Sequence, residues 1–226
     1  MNILVIAAHP DDEVLGCGGT VARLAAEKHD VFIAILGEGM TSRYANRQEA
    51  DPEAVQVLRK RSQEVARMLG ARDLAMYSLP DNRFDTVPLL YVVKIIEDLI
   101  ARWAPQVVYT QHGGDLNVDH AVTFRATMTA TRPMKGCSVR AVYAYEVASS
   151  TEWAFQQFSP PFKPNAFVDI STTLAVKIRA MEFYASESRQ FPHPRSSTAL
   201  KANAQRWGSV VGVPVAEAFE LIRSIQ

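Results

Sequence analysis

The sequence predicts an α/β protein in which helices flank a mainly parallel sheet. Short apolar runs rich in branched residues recur along the chain, as expected of strands buried on both faces. Stretches with apolar residues at helical spacing alternate with these runs, and glycine or proline marks many of the junctions. The chain shows no repeat, low-complexity tract or linker, and its 226 residues suffice for one large core. We therefore expect a single domain over residues 1–226.

The strands are predicted from apolar runs and from the breaks that follow them. The run at 2–8 leads into a glycine-rich turn, and Gly37 ends the run at 31–36. Pro80 closes a shorter run at 74–79. The remaining strands are predicted at 107–110, 139–147 and 167–170.

The helices are predicted from helical spacing and from the residues that begin and end them. Pro52 begins and Gly70 ends one amphipathic segment. Pro105 follows the end of another, and Ser171 caps the helix after the sixth strand. The full set of predicted helices is 20–28, 52–69, 89–103, 121–130, 172–186, 200–207 and 215–225.

Composition and charge exclude several classes of protein. Lysine plus arginine number 24 and aspartate plus glutamate number 24, so the net charge is zero and no nucleic-acid or membrane surface is indicated. No apolar stretch reaches membrane-spanning length. The two cysteines, Cys17 and Cys137, form no Cys-x-x-Cys motif and indicate a reducing compartment. We expect a cytoplasmic protein.

The first motif that carries candidate metal-binding and catalytic side chains is His9-Pro10-Asp11-Asp12-Glu13, between the first strand and a helix. Ligands bind at this end of the strands in open α/β sheets. Adjacent carboxylates repel one another, and a cation would relieve the repulsion. His9 and Asp12 are three residues apart and suit one divalent metal, which leaves Asp11 free to act as a base. The alternative is that the three acids only cap a helix and complement its dipole.

The second motif, residues 111–120, also joins a strand to a helix and contains His112, Asn117, Asp119 and His120. The two turns meet in space if their strands are neighbours. The polar loop at 40–51 belongs to the same edge of the sheet, and Arg43 is a candidate substrate contact from its location alone.

Together, the pentapeptide at 9–13, the glycines that follow it and Asn-Val-Asp-His at 117–120 resemble the PIG-L/LmbE-like family. Its members are zinc-dependent N-deacetylases of N-acetylglucosamine-containing compounds. The resemblance covers most of the chain and implies a Rossmann-like three-layer fold. It implies a hydrolase that acts on a small amino-sugar substrate, and a chain able to form homo-oligomers.

The resemblance also implies roles for individual residues. His9, Asp12 and His120 match the family's metal ligands, for Zn²⁺ or another divalent ion such as Fe²⁺. Asp11 matches the general base that activates a water molecule at the metal. Arg59 matches a position that often lies close to the substrate.

Asn117 departs from the family pattern, because many members have a histidine there that helps to stabilise or protonate the intermediate. An amide can donate a hydrogen bond but cannot act as a general acid. The proton for the leaving amine must then come from Asp11, from His112 or, less readily, from His193, which we also place among the substrate contacts. Asp119 is a candidate to orient His120 or His112.

Two other functions remain open from the sequence. A family member that binds metal or ligand without turnover fits Asn117, and a hydrolase of another amide substrate fits the same residues. A dinucleotide-binding enzyme is disfavoured, because Gly16-Cys17-Gly18-Gly19 is not Gly-x-Gly-x-x-Gly and the nearby acids would repel a pyrophosphate. The aromatic segment at 149–165 either covers the substrate or, as we favour, packs on the core.

Overall fold

The computed structural model describes all 226 residues and contains one seven-stranded sheet. The strands are β1 (Asn2–Ala7), β2 (Asp30–Gly37), β3 (Asp73–Leu79), β4 (Val107–Gln111), β5 (Ala141–Tyr145), β6 (Ala166–Asp169) and β7 (Ala216–Ser224). The helices are α1 (Asp12–Ala26), α2 (Pro52–Met68), α3 (Leu89–Trp103), α4 (Val118–Ala130), α5 (Leu174–Phe183) and α6 (Ser197–Val211). No helix has the length and apolar character needed to cross a membrane.

The strand order is β3-β2-β1-β4-β5-β7-β6, and the pairs from β3 to β5 are parallel. The order reverses between β1 and β4, which are direct neighbours with Ile3 opposite Val107 and Val5 opposite Tyr109. Such a reversal opens a crevice at the carboxyl ends of the two strands. The α/β fold with a mainly parallel sheet is confirmed.

Alternate residues of the central strands enter two separate cores, as the two-residue period of a strand requires. Ile3 and Val5 of β1 pack in one core with side chains of α1, α2, α5 and α6. Leu4 and Ile6 pack in the other core, mainly with α3. The helices therefore cover both faces, and the fold has the expected three layers.

The prediction of a final helix at 215–225 is wrong. This segment is strand β7, which pairs antiparallel with β5 on one side and with β6 on the other. Its alanines, glutamates and leucine favour a helix locally. Two open strand edges offer hydrogen bonds to the whole segment, and this tertiary pairing overrides the local preference.

Helix α1 also differs from the prediction, because it begins at Asp12 and not near residue 20. The helix is bent at Cys17, where φ is −145° and ψ is 22°. The backbone N–H groups of Gly19 and Thr20 donate to the Glu217 carboxylate, at 3.0 and 2.7 Å. The Lys177 ammonium lies 2.5 Å from the same buried carboxylate. Glu217 of β7 therefore caps the second half of α1.

Candidate metal centre and active site

The two motifs meet at the carboxyl ends of β1 and β4. Asp12 is the first residue of α1, and His9 lies in the turn before it. Asn117 is the N-cap of α4, where its side-chain oxygen accepts from the N–H of Asp119, and His120 follows in the first turn. The expected juxtaposition is present because β1 and β4 are paired.

His9, Asp12 and His120 form a buried cluster whose ligand atoms all lie within 4.8 Å of one another. Asp12 Oδ2 is 3.4 Å from His9 Nδ1 and 3.3 Å from His120 Nε2. Asp12 Oδ1 and both ring nitrogens of His120 are buried without a hydrogen bond. Buried polar atoms rarely go unpaired. Two imidazoles and a carboxylate with unpaired donor atoms fit a divalent metal.

Two further aspartates orient the histidines. Asp119 Oδ2 lies 2.8 Å from His9 Nε2, and the same carboxylate accepts backbone N–H groups from Asn82 and Phe84. Asp115 Oδ1 lies 3.2 Å from His120 Nδ1. The structure thus corrects the expected role of Asp119, which contacts His9 and neither His120 nor His112. His9 Nε2 is held by Asp119, so Nδ1 is the nitrogen left to face Asp12.

The electrostatics of the cluster match a site prepared for a cation. Burial alone would raise the pKa of Asp12, but the positive charges of His120 and His9, whose ring nitrogens lie 3.3 and 3.4 Å away, hold it well below its usual value. Burial would lower the pKa of His120, but Asp12 and Asp115 outweigh it and raise the pKa to about 9. In the metal-free protein, the positive charge of the protonated histidines offsets the negative charge of the carboxylates. A bound cation would supply this positive charge in their place.

Asp11 is the N-cap of α1 and is held in a left-handed conformation, with φ at 107°. Such a conformation costs a non-glycine residue free energy, and backbone strain of this kind is common at active sites. Asp11 Oδ2 accepts from Arg195 Nη1 at 2.7 Å. Burial raises the pKa of Asp11 well above its usual value, and the charge of Arg195 opposes that rise. A base of raised pKa beside a metal site suits proton transfer near neutral pH.

A small polar cavity of about 170 Å³ opens beside the cluster. It is lined by His9, Asp11 and Asn117 together with Arg43, and the role of Arg43 as a substrate contact stays a prediction. Arg43 Nη2 lies 2.5 Å from Glu187 Oε2. The other polar lining residues are Ser42, Asp81, Asn82, Glu187 and Arg195.

The cavity lining also lacks His112, Arg59 and His193, which make other contacts. The ring nitrogens of His112 contact Glu220 and the carbonyl of Pro160, each at 2.8 Å. Arg59 Nη1 donates to the carbonyl of Tyr77 and to Ser78. His193 Nδ1 accepts the N–H of Arg195. In this structure their polar groups make hydrogen bonds away from the metal cluster.

Four polar residues of the site were not predicted from the sequence: Arg195, Glu187, Asp115 and Asp81. Asp115 stands in the second motif and could have been found there, because metal-binding histidines usually have a carboxylate or carbonyl partner. Asp81 follows the predicted third strand at the same edge of the sheet. Arg195 and Glu187 lie far along the chain in irregular segments, and no local pattern points to them.

The acids and glycines of the first motif also have structural roles. Glu13 Oε2 accepts the N–H of Asp11, and Glu13 Oε1 accepts from the Tyr184 hydroxyl. Glu13 thus fits the helix-capping alternative, whereas Asp11 makes no side-chain cap. Gly16 and Gly19 lie within α1 and permit close packing on Tyr145 and Ile170. They form no phosphate-binding loop.

Comparison with known proteins identifies relatives over most of the chain. The family model described as PIG-L, GlcNAc-PI de-N-acetylase, matches residues 4–131. An uncharacterized deacetylase of Escherichia coli, YaiS, is 28% identical and covers 82% of this chain and 91% of its own length. Diacetylchitobiose deacetylase of Thermococcus kodakarensis is 26% identical, over 99% of this chain and 84% of its own.

Solved structures extend the likeness to the whole fold. N,N'-diacetylchitobiose deacetylase from Pyrococcus horikoshii superimposes with a TM-score of 0.79 at 20% identity, over 98% of this chain and 84% of that one. GalB, the 4-carboxy-2-hydroxymuconate hydratase of Pseudomonas putida, gives a TM-score of 0.78 at 18% identity, over 100% and 97%. At these identities the likeness concerns the fold alone, and the fold serves more than one reaction.

Proposed function

Because this chain belongs to the PIG-L family of de-N-acetylases, we propose that it is a metal-dependent hydrolase of N-acetylated amino sugars. The substrate is an N-acetylglucosamine-type sugar or its conjugate, and the products are acetate and a free amine. The single observation that carries the proposal is the metal-ligand cluster of His9, Asp12 and His120 beside the base candidate Asp11. The assignment of residues 1–226 to one deacetylase domain is part of this proposal.

His9, Asp12 and His120 would hold the metal, and Zn²⁺ suits two imidazoles and a carboxylate best, although Fe²⁺ can use the same ligands. When bound there, the ion supplies Lewis acidity toward the amide carbonyl and the attacking water. Asp119 keeps His9 in one ring orientation through a hydrogen bond, and Asp115 places a negative charge 3.2 Å from His120 Nδ1. Asp11 takes a proton from the attacking water, which is the role of a general base.

The cavity favours a small, uncharged and hydrophilic ring. Its lining is mostly polar, and its volume of about 170 Å³ suits a group the size of one sugar. Its two arginines are each paired with an acid, Arg195 with Asp11 and Arg43 with Glu187. Neither is left free to bind a phosphate or carboxylate of the substrate. The cytoplasmic location and self-assembly stay predictions.

The test is acetate release from a panel of N-acetylglucosamine compounds, with protein of measured metal content and with or without a chelator. We expect chelator-sensitive release from at least one compound. Asp11→Asn should lower kcat by about 10²–10⁴-fold while the metal content stays that of the wild type.

Two outcomes would contradict the proposal. Fully metallated protein that releases acetate from no compound would favour the alternatives, a binding protein without turnover or a hydrolase of another amide. Release that persists in Asp11→Asn would show that another group is the base.

A further inference from the structure

The leaving amine needs a proton, and most of the side chains considered as its donor already make other contacts in the structure. Asn117 accepts the N–H of Asp119 through Oδ1 and donates through Nδ2 to Asn82. The ring nitrogens of His112 contact Glu220 and the carbonyl of Pro160, and His112 does not line the cavity. His193 also lies outside it. Among the residues considered from the sequence, Asp11 alone keeps an available oxygen on the cavity.

The two oxygens of Asp11 have different surroundings. Oδ2 accepts from Arg195 Nη1 at 2.7 Å, whereas Oδ1 makes no hydrogen bond. Asp11 and Arg195 both line the cavity beside His9. One oxygen is therefore fixed by a charged donor, and the other is free to take a proton and to give it back.

Further contacts hold the Arg195 guanidinium in place. Its Nε donates to Ser149 Oγ at 2.8 Å and to the carbonyl of Ala148 at 3.3 Å, both in the segment that follows β5. Its Nη1 also lies 3.7 Å from Glu187 Oε2. A planar guanidinium anchored at Nε presents Nη1 to Asp11 in one direction only. A lysine has a single ammonium group and could not reach Ser149 and Asp11 in the same way.

We propose that Arg195 is a positioning residue that fixes Asp11, so that this one carboxylate both accepts the proton of the attacking water and returns it to the leaving amine. The inference rests on the proposed function. In the first step an O–H bond of water breaks, its proton moves to Asp11 Oδ1, the water oxygen bonds to the acetamide carbon, and the carbonyl π pair moves onto the carbonyl oxygen. In the second step that pair re-forms the C=O bond while the C–N bond breaks, and the nitrogen keeps the C–N electron pair and takes the proton back from Asp11. The products are acetic acid, which ionises to acetate, and the free amine.

The test is a double-mutant cycle between Arg195→Met and Asp11→Asn, with kcat and KM measured for each variant. Arg195→Met alone should lower kcat by about 10–100-fold, as loss of a supporting partner does, with KM changed much less. In the Asp11→Asn background the same substitution should have almost no further effect, because Arg195 acts through Asp11. Arg195→Lys should recover part of the lost rate.

Arg43→Met is the matched control, since Arg43 lines the same cavity but pairs with Glu187 and not with Asp11. Its effect on kcat/KM, whatever its size, should be the same in the wild-type and Asp11→Asn backgrounds. Metal content and melting temperature, measured for every variant, report whether the fold and the metal cluster persist.

Crystal structures of metal-loaded wild type and Arg195→Met provide a readout that does not depend on turnover. We expect the Asp11 carboxylate to move while His9, Asp12 and His120 keep their places. An unmoved Asp11 would overturn the positioning role even if no substrate were known. The positioning role would also be overturned if the kcat losses of Arg195→Met and Asp11→Asn multiplied in the double variant. An effect of Arg195→Met on KM alone would overturn it as well. Absence of acetate release from wild type would instead count against the proposed function.

Discussion

Asp119→Asn is the substitution that most directly tests how the metal cluster is supported. Asp119 is fully buried, and its carboxylate accepts three bonds: His9 Nε2 at 2.8 Å and Asn82 N at 2.6 Å on Oδ2, and Phe84 N at 2.8 Å on Oδ1. Asparagine keeps the shape of the side chain but has only one acceptor oxygen.

The favoured orientation of the amide can be worked out from these bonds. If its oxygen takes the place of Oδ2, the bonds to His9 and Asn82 survive and the buried N–H of Phe84 loses its acceptor. If it takes the place of Oδ1, the N–H of Asn82 loses its acceptor, and His9 keeps its bond only by accepting at Nε2 and carrying its proton on Nδ1, where it faces Asp12. The pKa of His9 is raised, so its ring favours the protonated form, which cannot accept, and the first orientation should prevail.

The unpaired N–H of Phe84 costs about 1–3 kcal/mol of unfolding free energy. In a chain of this size that corresponds to a melting temperature lower by roughly 2–12 °C. His9 also loses the negative charge that makes its ring a stronger ligand, so affinity for Zn²⁺ should fall by about 10–100-fold.

The assays are thermal unfolding of the metal-free protein and competition for Zn²⁺ against a chelator of known affinity. Asp85→Asn is the matched control, because it is the same chemical change at an exposed residue that makes no side-chain hydrogen bond on the turn beside Phe84. If Asp119→Asn melts and binds Zn²⁺ as Asp85→Asn does, Asp119 does not support His9 and our reasoning is refuted.

Three further predictions concern the fold and the metal-free state. Gly16→Ala places a methyl group 2.1 Å from the Tyr145 ring, and thermal unfolding should show a loss of about 1–3 kcal/mol or more from overpacking. Lys177→Met leaves the buried Glu217 carboxylate without its cation, and unfolding in urea should show a loss of about 3–5 kcal/mol, against little change for an exposed lysine such as Lys201. The pKa of His120 is raised to about 9 in the metal-free protein, so its charge stabilises that fold below about pH 6.5, and the contribution is lost as the pH rises through about 9. Because Zn²⁺ must displace this proton, Zn²⁺ affinity measured by chelator competition should rise by at least about tenfold per pH unit up to that value, and more steeply where His9 also gives up a proton; a flat profile would contradict the assignment.

The metal cluster could be anticipated because its residues are local to two strand ends. His9 and Asp12 are close in sequence, His120 follows a second strand, and the parallel sheet brings the two turns together. The residues that surround the cluster follow no such rule. Arg195 reaches Asp11 across 184 positions of sequence, from an irregular segment before α6.

The errors in the fold have a related cause. Segment 216–224 has a composition suited to a helix, and only the pairing with both β5 and β6 makes it a strand. The placement of Arg59 close to the substrate stays a prediction, and in this structure its guanidinium donates to the carbonyl of Tyr77. Local propensity and motif position cannot report contacts that depend on how distant segments dock.

The bend of α1 at Cys17 makes the second half of this helix depend on a strand that is synthesised much later. The second half of α1 has its N-terminal amides capped by Glu217, 198 residues later than Gly19. During synthesis, which delivers the amino-terminal part first, this half-helix must wait for β7 before those amides find their acceptor. Segments of high sequence separation join late and slow folding. The helix that carries Asp12 is thus synthesised well before the strand that caps it, and its second half reaches its capped form only when β7 is in place.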